Sequence, residues 1–466
     1  MKNRIVSNIS YSLCANIVST LVSIIIVLLL PKLISVQTYG EWQLYIFYSF
    51  YLGFFHFGWL DGIYLRYGGY SFNEINKIKF SNQLYALVIF TIFIVVILYM
   101  GCDFIICSYK ASIIKFVILA LLPTIILTYN SIVLQIGNEI KQYAKLIIFE
   151  RVTFLILIFF YFIFHFKSSY YLFCIDLISK TLASLVGIYF IKKILILSKD
   201  RIGNIIKEVI ENLNVGSKVF IANISGMLTL GIIRFGISQT WDLEIFAKIS
   251  LAFSIINFFM IFINAISTAL FPTLKRTTPE ILKIFYLKLD KFATLVMLGS
   301  LMLYIPLKIF IMFWLPEYGE SVEYLSVLLP ICFFESKINL IINTYLKVFR
   351  KELTLLKINL GIVVFTLLST YYSIIYIHDI NLTIFFIFII YMFKYFISKN
   401  ALLKILNTSN NYYEYIFIII FILTNNLDIA PGYSFCIYTI FYLMYVYINK
   451  IYIIDFCRIL KNNFKK

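Results

Sequence analysis

The chain has 466 residues, 62% of them hydrophobic and 14% charged, with a formal net charge of +17, whereas soluble proteins carry roughly 45–50% apolar and about 25% charged residues. Apolar runs of the ~20 residues that cross a bilayer recur from end to end and no polar stretch is long enough to fold alone, which excludes an attached soluble enzyme and leaves one polytopic all-α membrane domain. The positive charge sits in blocks between apolar runs, the pattern of the positive-inside bias rather than of a nucleic-acid binder, and the seven cysteines show neither CxxC nor zinc spacing.

In chain order, the apolar runs predict fourteen spans near residues 9–30, 43–66, 80–100, 112–135, 146–166, 170–191, 215–235, 245–271, 291–313, 322–347, 355–377, 380–399, 412–428 and 432–452. The first run, Ile9 to Leu30, is longer than a signal-peptide core and no small-residue cleavage site follows it, so it reads as a span. Only Cys102 and Cys107, flanking a short loop, are placed to pair, and only if that loop faces an oxidising space. With the N-terminus in the cytoplasm, the inside segments collect most of the 40 Lys and Arg, and the outside ones hold Lys32, Lys110, Lys115, Lys167 and Lys308. That asymmetry supports the span count and puts both termini in the cytoplasm.

The outside loops are short, and the longest inside connection, residues 192–214, is rich in Lys and Glu. It predicts a division into an N-terminal lobe (1–191, spans one to six), a cytoplasmic linker (192–214), a C-terminal lobe (215–404, spans seven to twelve), and two extra spans with a cytoplasmic tail (405–466). An internal echo agrees: the first hairpin turns through ISVQTYGEW (34–42) and the seventh and eighth spans turn through ISQTWDLEI (237–245). Two repeated six-span halves are a common transporter plan.

Polar residues cost free energy in hydrocarbon, so those within spans should face other helices or water. Asn8, Ser12, Asn16, Ser19 and Ser23 follow steps of three or four along the first span, as do Thr124, Thr128, Ser131 and Gln135 in the fourth, Ser250, Ser254 and Asn257 with Asn264 and Thr268 in the eighth, and Glu335, Asn339, Asn343 and Lys347 in the tenth. Any single Ser or Thr is read as an interhelical hydrogen bond. Four striped helices together supply more polar surface than one helix contact needs, and point to a hydrated cavity between two bundles.

Ionic residues mark the same regions. Lys180, Lys218, Arg234, Lys248 and Lys337 fall inside spans, with Asp61, Asp176 and Glu335. Asp176 and Lys180, four apart, read as a same-helix ion pair. Lys218 belongs to the cytoplasmic start of the seventh span, and Arg234 and Lys248 flank the outer hairpin, where long cations can snorkel. Arg66 closes the second span as a topological anchor or as a functional cation. Asp61 stands about 7.5 Å deeper and about 140° around the helix from it, so the two should not pair. Asp61 needs a cation on a neighbouring helix, a captured proton or cavity water. Gly58 and Gly62 beside it allow close helix approach, and Gly68 and Gly69 favour a bend.

The chain length, the fourteen spans, the Asn/Ser-bearing first helix followed by LLLPKLISVQTYGEWQLY, and the end of the second span, FHFGWLDGIYLRYGG, resemble the polysaccharide transporter, or O-antigen flippase, family of the multidrug/oligosaccharidyl-lipid/polysaccharide exporter superfamily. The resemblance implies a substrate, undecaprenyl-pyrophosphate carrying an oligosaccharide repeat unit of O-antigen or capsule type. It would pass from the inner to the outer leaflet of the bacterial cytoplasmic membrane by alternating access between two six-helix lobes, with the last two helices offering a groove for the lipid tail. Proton or sodium coupling, no cofactor, membrane lipid and partners such as the polymerase and other polysaccharide-assembly proteins come with it. It points to Asp61, Arg66, Arg234 and Lys248 as cavity residues, with Lys180 as a further substrate- or ion-coupling residue. The departure is that basic residues within the spans are few for a strongly cationic cavity.

Two rivals follow from the same hydropathy. A membrane polymerase or glycosyltransferase would need a sizeable outer loop or exposed catalytic carboxylates, and the only suggestive pair here, His378-Asp379, reads as a capped loop. No nucleophile, metal or phosphate-loop constellation is found, so the chain reads as a non-enzyme. A drug or cation extruder of the same fold would favour buried carboxylates, which Asp61, Asp176 and Glu335 supply.

Overall fold

A computed structural model describes residues 2–70, 72, 74–105, 110–196, 201–275, 279–408, 412–427 and 431–463. Every regular element among them is helical: α1 (Lys2–Leu33), α2 (Val36–Ser49), α3 (Trp59–Tyr67), α4 (Lys77–Ile105), α5 (Lys110–Ile136), α6 (Ile140–Ile163), α7 (Ser169–Ile191), α8 (Ile202–Thr240), α9 (Leu243–Lys275), α10 (Pro279–Leu301), α11 (Tyr304–Trp314), α12 (Gly319–Lys337), α13 (Asn343–Val348), α14 (Glu352–Tyr371), α15 (Ile380–Leu406), α16 (Tyr413–Asn426) and α17 (Pro431–Asn463). This follows from the solvent, because a backbone in hydrocarbon must satisfy its own N–H and C=O groups. Twelve helices among the described residues are long and apolar enough to cross a membrane. A broken second span and the 14-residue α16 complete the expected set.

The chain forms two compact units, Met1–Ile224 and Ser225–Lys466. In the first, α5 packs against α4 and α7, and α6 joins α1 to α7. In the second, the span Pro316–Val348, which contains α12, is central: 83% of its most apolar stretch is buried, against 17% for Ser10–Leu33 of α1. It lies against α9 and α15, while α17 packs on α10 and α16. Residues of the expected cytoplasmic connection from Ile202 onward are helical and run without interruption into the seventh span. At ~1.5 Å per residue the 39-residue α8 is about 58 Å long, far more than the ~30 Å of a bilayer core.

The second span is not one helix over 43–66. After α2 the chain makes a 3₁₀ turn at Leu52–His56, and α3 begins only after Phe57 (φ 51°) and Gly58 (φ 86°). Two consecutive left-handed residues cannot continue a right-handed helix. What holds the break is contact with α8: a Cβ on Gly62 would stand 1.9 Å from the Asn212 carbonyl oxygen, and one on Gly216 would stand 1.9 Å from the Gly58 carbonyl oxygen. The two backbones touch, as the paired glycines suggested.

In the second unit, π-helical turns lie at Ile338–Ile342 and Tyr372–Ile377 and a 3₁₀ turn at Pro316–Tyr318. The two halves of the sequence echo each sit at a tight break between long helices, Leu33 to Val36 and Thr240 to Leu243. His378 takes a left-handed conformation (φ 57°) and Asp379 caps α15, its Oδ1 accepting from the Asn381 N–H at 2.7 Å and the Leu382 N–H at 3.3 Å. Cys102 is a free thiol, and Cys107 lies outside the described residues.

Candidate functional site

The polar side chains of the first unit converge where α3, α4 and α8 meet. Arg66 ends α3, and its guanidinium donates to Glu208 at 2.7 Å, Glu211 at 2.6 Å and Asn212 at 2.6 Å, all on α8. Glu208 also accepts from Tyr67 and from Lys79 at 3.1 Å. Gln83 of α4 receives the Trp59 indole N–H at 2.6 Å and the Asn212 amide at 3.2 Å. Charge-assisted bonds of this kind are about twice as strong as neutral ones. Arg66 is thereby spent on two carboxylates, and Lys79, Gln83, Glu208 and Glu211 border a cavity of about 240 Å³ beside them.

Asp61 sits one turn from the break, facing an imidazole of its own span: His56 Nε2 lies 4.0 Å from Asp61 Oδ2. His56 Nδ1 accepts the Gly58 N–H at 3.0 Å. In the neutral ring the other nitrogen then carries the proton, so Nε2–H faces the carboxylate. Lys180 holds Asp176 Oδ2 at 2.7 Å across one helical turn, and Tyr45 of α2 donates to the same oxygen at 2.6 Å. The expected same-helix pair is present. The stripe of the fourth span, Thr128, Ser131 and Gln135, lines a cavity of about 300 Å³ with Tyr143 and Glu150 of α6.

In the second unit, Arg234 lies over the rings of Phe246 (5.4 Å) and Phe253 (5.5 Å) and donates to Ser250 at 2.9 Å. Lys248 pairs with Glu320 at 2.7 Å. The stripes otherwise divide. Ser23 of α1 and Ser254 of α9 bond to carbonyls of their own helices. Ser267 of α9 reaches the Asn339 carbonyl at 2.9 Å, exposed by the π turn, and Asn343 bonds Asn339 at 2.9 Å. Asn8, Asn264 and Thr268 have side chains outside the described set.

A second ionic cluster, in the second unit, was not read from the sequence. Lys337, at the end of α12 and 1% exposed, meets the Asp290 carboxylate, the Asp290 carbonyl at 2.9 Å and Thr294 Oγ1 at 2.7 Å. Lys399 of α15 pairs with Glu414 of α16, which also accepts from Tyr395 at 2.8 Å. The pairs act on each other electrostatically, Asp290 with Lys399 and Lys337 with Glu414. Glu335 and Lys394 interact in the same way. Lys337 and Glu335, ionic residues in mid-span, were the visible signals; their partners lie on other helices. Among the described residues no three His, Cys, Asp or Glu gather as metal ligands.

No protein-family model matches the chain, and no curated protein matches it in sequence. Among solved structures it is similar to the lipid II flippase MurJ in an inward closed conformation, with a TM-score of 0.66 and 13% identity over 96% of this chain and 99% of that one. It is similar to an inward-facing multidrug resistance MATE family transporter of the MOP superfamily, with a TM-score of 0.59 and 12% identity over 85% of this chain and 100% of that one. A MATE in complex with MaD5 follows at 0.51 and 13%, over 82% and 95%. At such identities the likeness is one of architecture: the chain has the fold shared by the lipid II flippase and the MATE transporters.

Proposed function

We propose that the protein is a flippase that carries undecaprenyl-pyrophosphate-linked oligosaccharide repeat units, of O-antigen or capsule type, across the bacterial cytoplasmic membrane by alternating access. The observation that carries this reading is the extent of the fold match. The flippase takes up 96% of this chain, whereas the whole multidrug transporter is accommodated by 85% of it. The head of such a substrate is too polar to cross lipid and its tail too apolar to leave it, so the carrier must serve both at once. Both termini are assigned to the cytoplasm by the Lys and Arg distribution. The partners on this reading are the enzymes that build the lipid-linked unit and the polymerase that consumes it.

Of the five charged positions singled out in the sequence, Arg66, Lys180 and Lys248 are held in ion pairs. Arg234, bedded on aromatic rings, is assigned to the pyrophosphate, and Asp61, beside His56, to proton or sodium coupling. A drug extruder of the same fold is the second reading, favoured by the partly buried carboxylate of Asp61.

Proteoliposomes holding the full-length protein distinguish the two. A fluorescent undecaprenyl-pyrophosphate-linked disaccharide should become accessible to an external quencher in a time-dependent way, and ethidium should not move. Arg234→Ala should slow the glycolipid about tenfold or more, the worth of one charge-assisted contact, and Asp61→Asn should flatten the pH dependence. Ethidium movement without glycolipid movement would replace the flippase reading with the extruder one.

A further inference from the structure

The second unit carries a cavity lined by none of the candidate site residues above. It measures about 470 Å³ and lies where α11, α12, α15, α16 and α17 meet, at the end of the unit away from the Lys337 cluster. That is inside the roughly 300–1,000 Å³ range of small-ligand sites. By the charge distribution this end faces out of the cytoplasm.

Its wall is polar and balanced in charge. Lys308 of α11 and Glu323 of α12 both line it, and neither takes part in an ion pair among the described residues. Ser326 of α12 bonds to Asn426 of α16 at 2.9 Å, joining the two helices across the wall. One side-chain N–H of Asn425 and one of Asn426 are held on the Phe421 and Ile422 carbonyls at 2.8 and 2.9 Å, and Asn425 lines the cavity with a side-chain oxygen able to accept. Tyr324 adds a buried aromatic ring.

This chemistry selects a class of ligand. An acyl chain would leave the amides and charges unmatched. A phosphate or pyrophosphate would meet Glu323 as well as Lys308. A neutral sugar fits both, because each hydroxyl donates and accepts: donors for Glu323 and Asn425, acceptors for Lys308, and an aromatic edge for a ring face.

We infer that this cavity binds a neutral saccharide of about disaccharide size on the outer side of the second unit. On the flippase reading it is an exit subsite that receives the sugars of the delivered glycolipid, and it rests on that reading only for this role. The test uses full-length protein in nanodiscs, probed by saturation-transfer NMR with maltose, cellobiose, lactose and N,N′-diacetylchitobiose, and with inorganic pyrophosphate as the anionic probe. At least one disaccharide should bind saturably, about tenfold more weakly in Glu323→Gln or Asn425→Ala, and unchanged in Gly203→Ala, where an added methyl meets no atom within 4 Å. Glu323 is exposed, so its conservative variant keeps the fold intact. Absence of disaccharide binding, binding indifferent to both variants, or preference for pyrophosphate overturns the inference. Glycolipid translocation without disaccharide binding removes the subsite and keeps the flippase. Disaccharide binding without translocation does the reverse.

Discussion

Lys337 has no aqueous alternative: it is 1% exposed, and its three ammonium protons are matched by the Asp290 carboxylate, the Asp290 carbonyl and Thr294. An ion pair taken out of water is held together as much by the penalty of separating it as by its own attraction. Lys337→Met should therefore leave Asp290 stranded and cost about 3–5 kcal/mol, seen as a lower midpoint of thermal unfolding in detergent. The double variant Lys337→Met/Asp290→Leu should recover most of that loss. Equal destabilisation by single and double variants would show that the pair adds its own stability. Lys180 and Asp176 form the simpler case, a local pair reinforced by Tyr45.

Elements in this chain are shaped by what they touch. α3 exists as a separate helix because Phe57 and Gly58 turn left-handed, and that turn is secured where Gly58, Gly62 and Gly216 let α3 lie directly on α8. Gly62→Ala would drive a methyl group into the Asn212 backbone, which cannot yield as a flexible side chain could. Its membrane abundance and monodispersity should fall sharply. Gly53→Ala and Gly203→Ala meet no atom within 4 Å, so both should accumulate like the unaltered protein. Past the crossing, Arg66 locks the start of α8 through Glu208 and Glu211. The stretch expected to link two lobes is thus bound to the first unit as a rigid helix.

At the scale of the whole molecule, the last two helices belong to the second unit in substance as well as in sequence order. α16 supplies Glu414 to Lys399, and α17 pins α10 through Tyr438 to the Leu298 carbonyl at 2.9 Å and Tyr445 to the Lys291 carbonyl at 3.1 Å. A chain ending at Leu406 would keep twelve spans but leave Lys399 buried without its carboxylate. It should aggregate when extracted in detergent, and Lys399→Leu in that shortened chain should restore part of the monodisperse peak on gel filtration. A shortened chain that behaves well without this change would mean that the two helices are an independent addition.

Hydropathy, charge sidedness and capping are properties of neighbouring residues, and these the sequence by itself determined: the helical class, the positions of the spans, the Asp379 cap and the Asp176–Lys180 pair are all settled within a few residues along the chain. Hydrocarbon makes this possible, since a backbone there has no choice but to bond to itself. The partners of the other charges were decided only by the tertiary structure. Arg66 finds Glu208 across 142 residues and Lys337 finds Asp290 across 47, distances over which no periodicity carries information. The break at Phe57 and Gly58 was hidden for the same reason: its cost is met by a contact with α8 that becomes visible only once two remote glycines are brought face to face.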